Sequence, residues 1–369
     1  MSSLAVGILG AWRGATLAAL FDRLPETRVV AICERVEERR ARALTLCPHA
    51  QGFDDYAAML RGPLDVVVVA SAPPDHAEHV CMALEAGTAV LSEVPAAHTL
   101  GDAQRIVDTV RSTGRFYMLG ENCNYYAYIH AWKRLLDEGV LGEVVYAEGE
   151  YVHDIRAITW GDPTGARFNP REAQGRSGAG PTWRAGYHPI RYITHSLGPL
   201  LWLLRDRCTA VSCLSTGPRT QPEIGSPDME VAIFNTTHNR PIRQLCGFSV
   251  PREPGGQWYS LYGTKGCVEW KRAPWDSPRM FLEGHEMSEP SRMTWNVGMS
   301  GRLSRSGHGG IDGSLVEDFV RALANGEPSP IDVHTAMDYT VPGICAAMSA
   351  ERGGELLRVP NTRTERLVG

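Results

Sequence analysis

Between residue 4 and about residue 120 the chain alternates short, nearly continuous apolar runs with segments of helical periodicity. LAVGIL precedes ATLAALFDRL, RVVAIC precedes EERRARALTL, DVVVVA precedes DHAEHVCMALEAG, TAVLSE precedes LGDAQRIVDTVRS, and RFYMLG closes the series. Strands apolar on both faces, each followed by an amphipathic helix, predict a parallel sheet covered by helices on both sides. This is an α/β, doubly wound domain. Such sheets bind ligands beyond the carboxyl ends of their strands, which singles out GAWRG, CER, SAPPDH, SEVPAA and GENCNY.

Beyond about residue 143 the period falls towards two. EVVYAEGEYVHD, TAVSCLS, MEVAIFNTT, RQLCGFSV, WYSLYGT and GCVEWK predict an α+β domain on a largely antiparallel open sheet, one face packed and the other free. A Gly-, Pro- and Arg-rich stretch, 161–187, and an apolar helix, IRYITHSLGPLLWLL, interrupt the strands. The tail segments DGSLVEDFVRALANG and HTAMDYTVPGICAAMSAERG are helical and are expected to pack back. The expected boundary separates residues 1–122 from 123–369.

The length of 369 residues agrees with two domains, because single cores stop growing near ~250–300 residues. A net charge of -5 without basic runs argues against nucleic-acid or membrane-surface partners and favours small ligands. The longest apolar run, VVVVA, is strand length, and no export signal is expected ahead of LAVGILG. The nine scattered cysteines form no CxxC pair, as expected of buried thiols in a reducing cytoplasm.

VGILGAWRGATL places Gly10 at the end of the first strand and Gly14 at the start of the first helix. Glycine there lets backbone approach a pyrophosphate, whose charge helix N–H groups then hold. The loop departs from GxGxxG: Trp12 stands near the central glycine position, Arg13 follows, and the turn is one residue short. A tight strand-to-helix turn would explain the glycines as well. Glu34, at the end of the second strand, suits adenosine ribose hydroxyls and repels a ribose phosphate, so NAD is expected over NADP, with Arg35 softening that preference. Ser71, Pro73 and His76 in SAPPDH belong to the same cofactor side.

Tyr192 and His195 are i and i+3, on one face if one helix carries both, and suit proton transfer. His188 falls on roughly the same face. Strand alternation puts Tyr151 and His153 together and Asp154 opposite, as a structural residue. His308, within GHGGID, is a further substrate candidate, although a helix-entry loop also accounts for its glycines. Trp183 and Arg184 lie in the 161–187 stretch, a loop over the site or an oligomer arm. His76 and His79 have no carboxylate or cysteine partners in sequence, so no metal is expected and a capping or solvated role is assigned them.

VGILG, VVAICER, FDDYAAML, DVVVVASAPPDHAEHVCMALEAG, SEVPAA, LGENCNY and EGVLGEVV resemble the glucose-fructose oxidoreductase / inositol dehydrogenase (Gfo/Idh/MocA) family over nearly the whole chain. The resemblance implies an N-terminal Rossmann fold. In that family the corner at 93–95 reads Glu-Lys-Pro and an Asp precedes the catalytic His by four residues; here Val94 and Arg191 stand in those places. EVPAA, EYVHDIR, WR at 183–184, YITHSLGP and GHGGID look like the NAD-dependent α-N-acetylgalactosaminidases. That subgroup implies oxidation of a ring hydroxyl, elimination of the aglycone, hydration and return of the hydride. It implies Tyr192 and His195 as the acid/base pair, Tyr151 and Arg184 as sugar contacts, and Glu93, Val94 and Asn122 along the cofactor. The tyrosine that subgroup carries before GTKG is replaced within VPREPGG. The expectation is a redox-neutral NAD glycosidase acting on a sugar or glycoside, a dimer or tetramer by analogy; the alternatives are a net dehydrogenase of a sugar, amino sugar or cyclitol, and a sugar-binding scaffold without cofactor.

Overall fold

The structure, a computed structural model, describes residues 3–252, 255–284, 302–303 and 308–367. Glu253 and Pro254 of VPREPGG and Gly307 of GHGGID lie outside the described residues.

The apolar runs form parallel strands β1 (Leu4–Leu9), β2 (Thr27–Cys33), β3 (Gln51–Phe53), β4 (Val66–Val69), β5 (Ala89–Ser92) and β6 (Tyr117–Leu119). Their order is β3-β2-β1-β4-β5-β6. The VVVV of β4 is wholly buried, because it lies at the centre with helices on both faces. Helices α1 (Gly14–Phe21), α2 (Glu37–Leu46), α3 (Tyr56–Leu60), α4 (His76–Glu85) and α5 (Leu100–Thr113) occupy the connections. Thr99 and Asp102 form a capping box that fixes the start of α5 just beyond the SEVPAA corner. Strand order reverses between β1 and β4, so a ligand crevice opens there.

Helix α6 (Ala127–Asp137) leads into β7 (Val144–Val152). The 161–187 stretch becomes a strap with strands β8 (Trp160–Gly161), β9 (Arg167–Phe168) and β10 (Gly180–Pro181) around the short helix α7 (Pro170–Ala173). After α8 (Thr194–Leu204) come β11 (Cys208–Ser215), β12 (Met229–Thr236), β13 (Ile242–Gly247), β14 (Gly256–Gly263), β15 (Gly266–Glu269) and β16 (Arg279–Leu282). Helices α9 (Ile311–Asn325) and α10 (Val333–Glu351) and strand β17 (Leu357–Arg358) complete the chain. The second sheet has eight strands in the order β16-β15-β14-β7-β13-β12-β11-β17, antiparallel except for the parallel pair β7 and β13.

In β12 alternate residues Glu230, Ala232 and Phe234 are buried while Val231 and Ile233 point outward. Val145 and Leu214 are exposed too, so the sheet keeps an uncovered apolar face. The tail helices pack back as expected: Phe319 of α9 meets Phe21 and Phe116 edge-on, at 5.9 and 5.5 Å between ring centres. All nine cysteines are unpaired and all but Cys267 are buried. Among the described residues no helix is long and apolar enough to cross a membrane.

Candidate active site

A cleft of about 470 Å3 lies between the carboxyl ends of the parallel strands and the strap. Gly10 forms its floor at φ +89°, and a Cβ there would come 2.4 Å from the Ala70 carbonyl oxygen, so only glycine fits. Gly14 acts through packing instead, since a Cβ would press on Ile8 at 2.8 Å and its absence seats α1 against β1. Glu34 accepts from the backbone N–H of Ala11 at 2.9 Å and of Val36 at 3.0 Å, which ties the shortened loop to β2. Trp12 projects over the cleft beside the guanidinium groups of Arg39 and Arg167. Arg35, Ser71, Pro73, Glu93, Val94 and Arg184 also line it.

Several expected cofactor and substrate residues are committed elsewhere. Arg13 reaches the cleft, yet its guanidinium bonds Glu93 at 2.8 Å and both oxygens of Asp312 at 2.8 Å. It is an inter-element latch rather than a free phosphate ligand. Asn122 donates to Asp312 Oδ1 at 2.7 Å, and His308 pairs with Asp312 Oδ2 at 2.7 Å, so both join the latch. His76 is neither solvated nor a cap. It is fully buried, its ring nitrogens 2.8 Å from the Pro95 carbonyl and 3.0 Å from the Ser71 carbonyl, and it pins two cleft loops together.

Val94 is 1 % exposed and joins Pro95 through a cis peptide. No lysine substitute comes from Arg191, which donates to the His98 carbonyl at 2.6 Å. Arg184 stacks over Trp183 at 4.2 Å. The cation beside Glu93 is Arg13.

Across the cleft, Tyr192 and His195 do not share one helix. Tyr192 closes a 3-10 turn that begins at Pro189, and His195 lies in the first turn of α8. Their rings nevertheless lie 5.6 Å apart. Pro199, four residues after His195, has no N–H to give its carbonyl, and the Tyr259 hydroxyl bonds that carbonyl instead. His195 Nδ1 is 2.8 Å from Glu121 Oε1, and Cys123 Sγ lies 3.5 Å from the same nitrogen. Burial opposes charge on this imidazole, but Glu121 and Cys123 together outweigh it and hold the group well above its ordinary value. Burial pushes the Cys123 thiol up to about 11 and the Tyr151 phenol up to about 12, so both stay protonated at neutral pH. Tyr151 meets His195 edge-on at 5.4 Å and Phe248 at 5.3 Å, while Trp183 stacks on Tyr192 at 6.4 Å, making an aromatic wall.

His153 stacks on Tyr151 just beyond β7. His188 turns to Glu230 at 2.7 Å and joins the packing beneath the second sheet, away from the proton pair. Asp154 holds Arg156 in a two-point contact, the structural role expected of it.

Residues 4–121 match the profile of the Gfo/Idh/MocA family, an oxidoreductase family with an NAD-binding Rossmann fold. Over 96% of its length the chain is 26% identical to a glycosyl hydrolase family 109 protein of Saccharopolyspora erythraea, covering 82% of it. It is 24% identical to the alpha-N-acetylgalactosaminidase of Tannerella forsythia over 84% of this chain and 73% of that one. Scyllo-inositol dehydrogenase from Lactobacillus casei, solved with NAD(H) and scyllo-inositol, shares the fold at a TM-score of 0.74 and 15% identity, over 97% of this chain and 99% of that one.

A dinucleotide fits the residues of this cleft: Gly10 leaves room at the reversal point, Glu34 keeps lone pairs for ribose hydroxyls, and cations line the opposite wall. Three groups that matter most were missed in the sequence. Glu121 sits in GENCNY at the carboxyl end of β6, where an acidic residue is a signal in itself. Asp312 and Tyr259 gave none, since each acts through a fold-level contact. Glu121, Cys123 and His195 also bring three metal-type ligand atoms within 4.8 Å of one another, a grouping the sequence gave no reason to expect; the short Glu121–His195 bond accounts for its core.

Proposed function

We propose that the protein is an NAD-using glycosidase that cleaves its substrate through transient oxidation of a sugar ring hydroxyl, with no net redox change. The observation that carries this reading is His195 held by Glu121 opposite a corner where Val94 replaces the family's lysine. The likeness of nearly the whole chain to glycosyl hydrolase family 109 proteins supports it. NAD is favoured over NADP because the Glu34 carboxylate would repel a ribose phosphate. When bound, NAD supplies a hydride acceptor and later returns the hydride.

The protein's own side chains bind, orient and move protons. Tyr151, Tyr192, Phe248 and Trp183 offer aromatic faces to the apolar side of a pyranose, and Arg184 offers hydrogen bonds to its hydroxyls. Glu121 occupies His195 Nδ1 and leaves Nε2 for a substrate hydroxyl. As the carbinol becomes a ketone its proton passes to His195, with Tyr192 as relay. The ketone acidifies the adjacent C–H, loss of that proton expels the aglycone, water adds to the resulting double bond, and the ketone is reduced again. One water is consumed per bond broken. Residues 1–122 would hold the nucleotide and 123–369 the sugar, with the uncovered apolar sheet face pairing two copies; buried thiols are consistent with the cytoplasm.

Turnover of a glycoside in heavy water tests this reading. The sugar product is expected to carry deuterium on the ring carbon beside the oxidised position, and product with that C–H intact would rule the route out.

A further inference from the structure

The strap is tied to the cofactor domain through cations that form no ion pair among the described residues. Arg39, on α2, donates to the Gly165 carbonyl at the strap's turn, and its guanidinium lies 4.8 Å from the centre of the Trp12 ring. Arg39 Nε is a buried donor without an acceptor. Gly165 has φ +84°, and a Cβ there would come 2.7 Å from that nitrogen. Arg167, on β9 of the strap, approaches the same indole at 5.8 Å. Arg184 follows at the strap's far end, stacked on Trp183. All three line the cleft, and none forms an ion pair among the described residues. Arg167 is disfavoured as a cation first by burial and then by repulsion from Arg39 and Arg184. An anion arriving between the groups would relieve that repulsion.

The position of the cluster says which anion. Trp12 belongs to the loop after β1, which in a doubly wound sheet faces the diphosphate of a dinucleotide. That loop is one residue short, and its own cation, Arg13, is consumed by Glu93 and Asp312. We propose that the strap completes the dinucleotide site: Arg167 from the second domain, with Arg39 from the first, clamps the cofactor's diphosphate across the cleft and locks the cofactor between the domains. The inference rests on the dinucleotide reading of the cleft and adds residues to it that belong to neither the glycine loop nor the sugar wall.

The test compares wild type, Arg167→Met and Arg167→Lys, each stripped of nucleotide and checked for an unchanged far-ultraviolet spectrum. Binding of NAD, ADP-ribose and adenosine is measured by calorimetry. Loss of one charge-assisted contact is expected to weaken NAD and ADP-ribose by roughly ten- to a hundredfold, to leave adenosine within about twofold, and to be partly rescued by lysine. Trypsin gives a second readout, because Arg171 and Arg176 on the strap are exposed: NAD and ADP-ribose should slow cleavage there in wild type, and adenosine should not. NAD binding unchanged in Arg167→Met, or strap cleavage indifferent to NAD, overturns the clamp while leaving the dinucleotide reading intact. A wild type that binds neither NAD nor ADP-ribose overturns both.

Discussion

The Glu121 carboxylate lies 2.8 Å from Nδ1 of His195, joining the end of β6 to the first turn of α8 across 74 residues of sequence. It supplies from another element the carboxylate that Gfo/Idh/MocA dehydrogenases were expected to carry four residues before the histidine, where this chain has Arg191. The pair fixes which ring nitrogen faces substrate and raises the proton affinity of the ring.

A raised value sets the sign of the pH dependence. His195 accepts a proton only above its folded-state value, so the acidic limb of kcat/KM should lie above the ordinary histidine value of about 6.5. Glu121→Gln removes the main raising influence and is expected to shift that limb downward while reducing the plateau by roughly a hundredfold. A limb that stays in place in the variant would remove Glu121 from the proton chemistry.

His195→Ala should abolish turnover, by roughly 100- to 10,000-fold, while the purified variant still releases NAD on denaturation. The histidine is 14 % exposed and takes no part in the nucleotide loops. Retained activity would remove it from the mechanism.

The latch makes a stability prediction. Asp312 is fully buried, and although burial opposes its ionisation, bonds from His308, Arg13 and Asn122 hold it below the usual carboxylate range. A lowered folded value stabilises above the unfolded value of about 3.9 and is lost as pH falls through the lower folded value, so the latch is intact at neutral pH. Asp312→Asn should cost on the order of 3 kcal/mol in denaturant unfolding. A loss under about 1 kcal/mol would show that Arg13 is compensated by Glu93 alone.

Val94→Lys asks whether the missing lysine can be put back. The site is buried, and Arg13 already occupies Glu93. The introduced cation is expected to lower stability by roughly 2 kcal/mol or more without producing net NADH formation. A stable variant that accumulates NADH from sugar would mean that Val94 alone separates the two outcomes.

What the sequence disclosed, and what it hid, follows from range. The wholly apolar VVVV announced a central parallel strand because both its faces are covered, and Tyr192 and His195 were paired by spacing even though the 3-10 turn from Pro189 divides them. Arg13 stands in the glycine loop of the cofactor side; its partner Asp312 lies 299 residues away, and no local pattern announces such a bond. His188 matched the helical spacing but not the turn geometry, and so faces Glu230. Local periodicity carried the fold, whereas the site's charges were decided by contacts between distant elements.

The redox-neutral route is tested most directly by following aglycone release and reduced nicotinamide together, with the NAD-loaded protein and a panel of nitrophenyl glycosides. Many turnovers of nitrophenol are expected, with reduced nicotinamide never exceeding the enzyme present. Reduced nicotinamide accumulating in step with sugar consumption when NAD is added in excess, with no aglycone released, would contradict it.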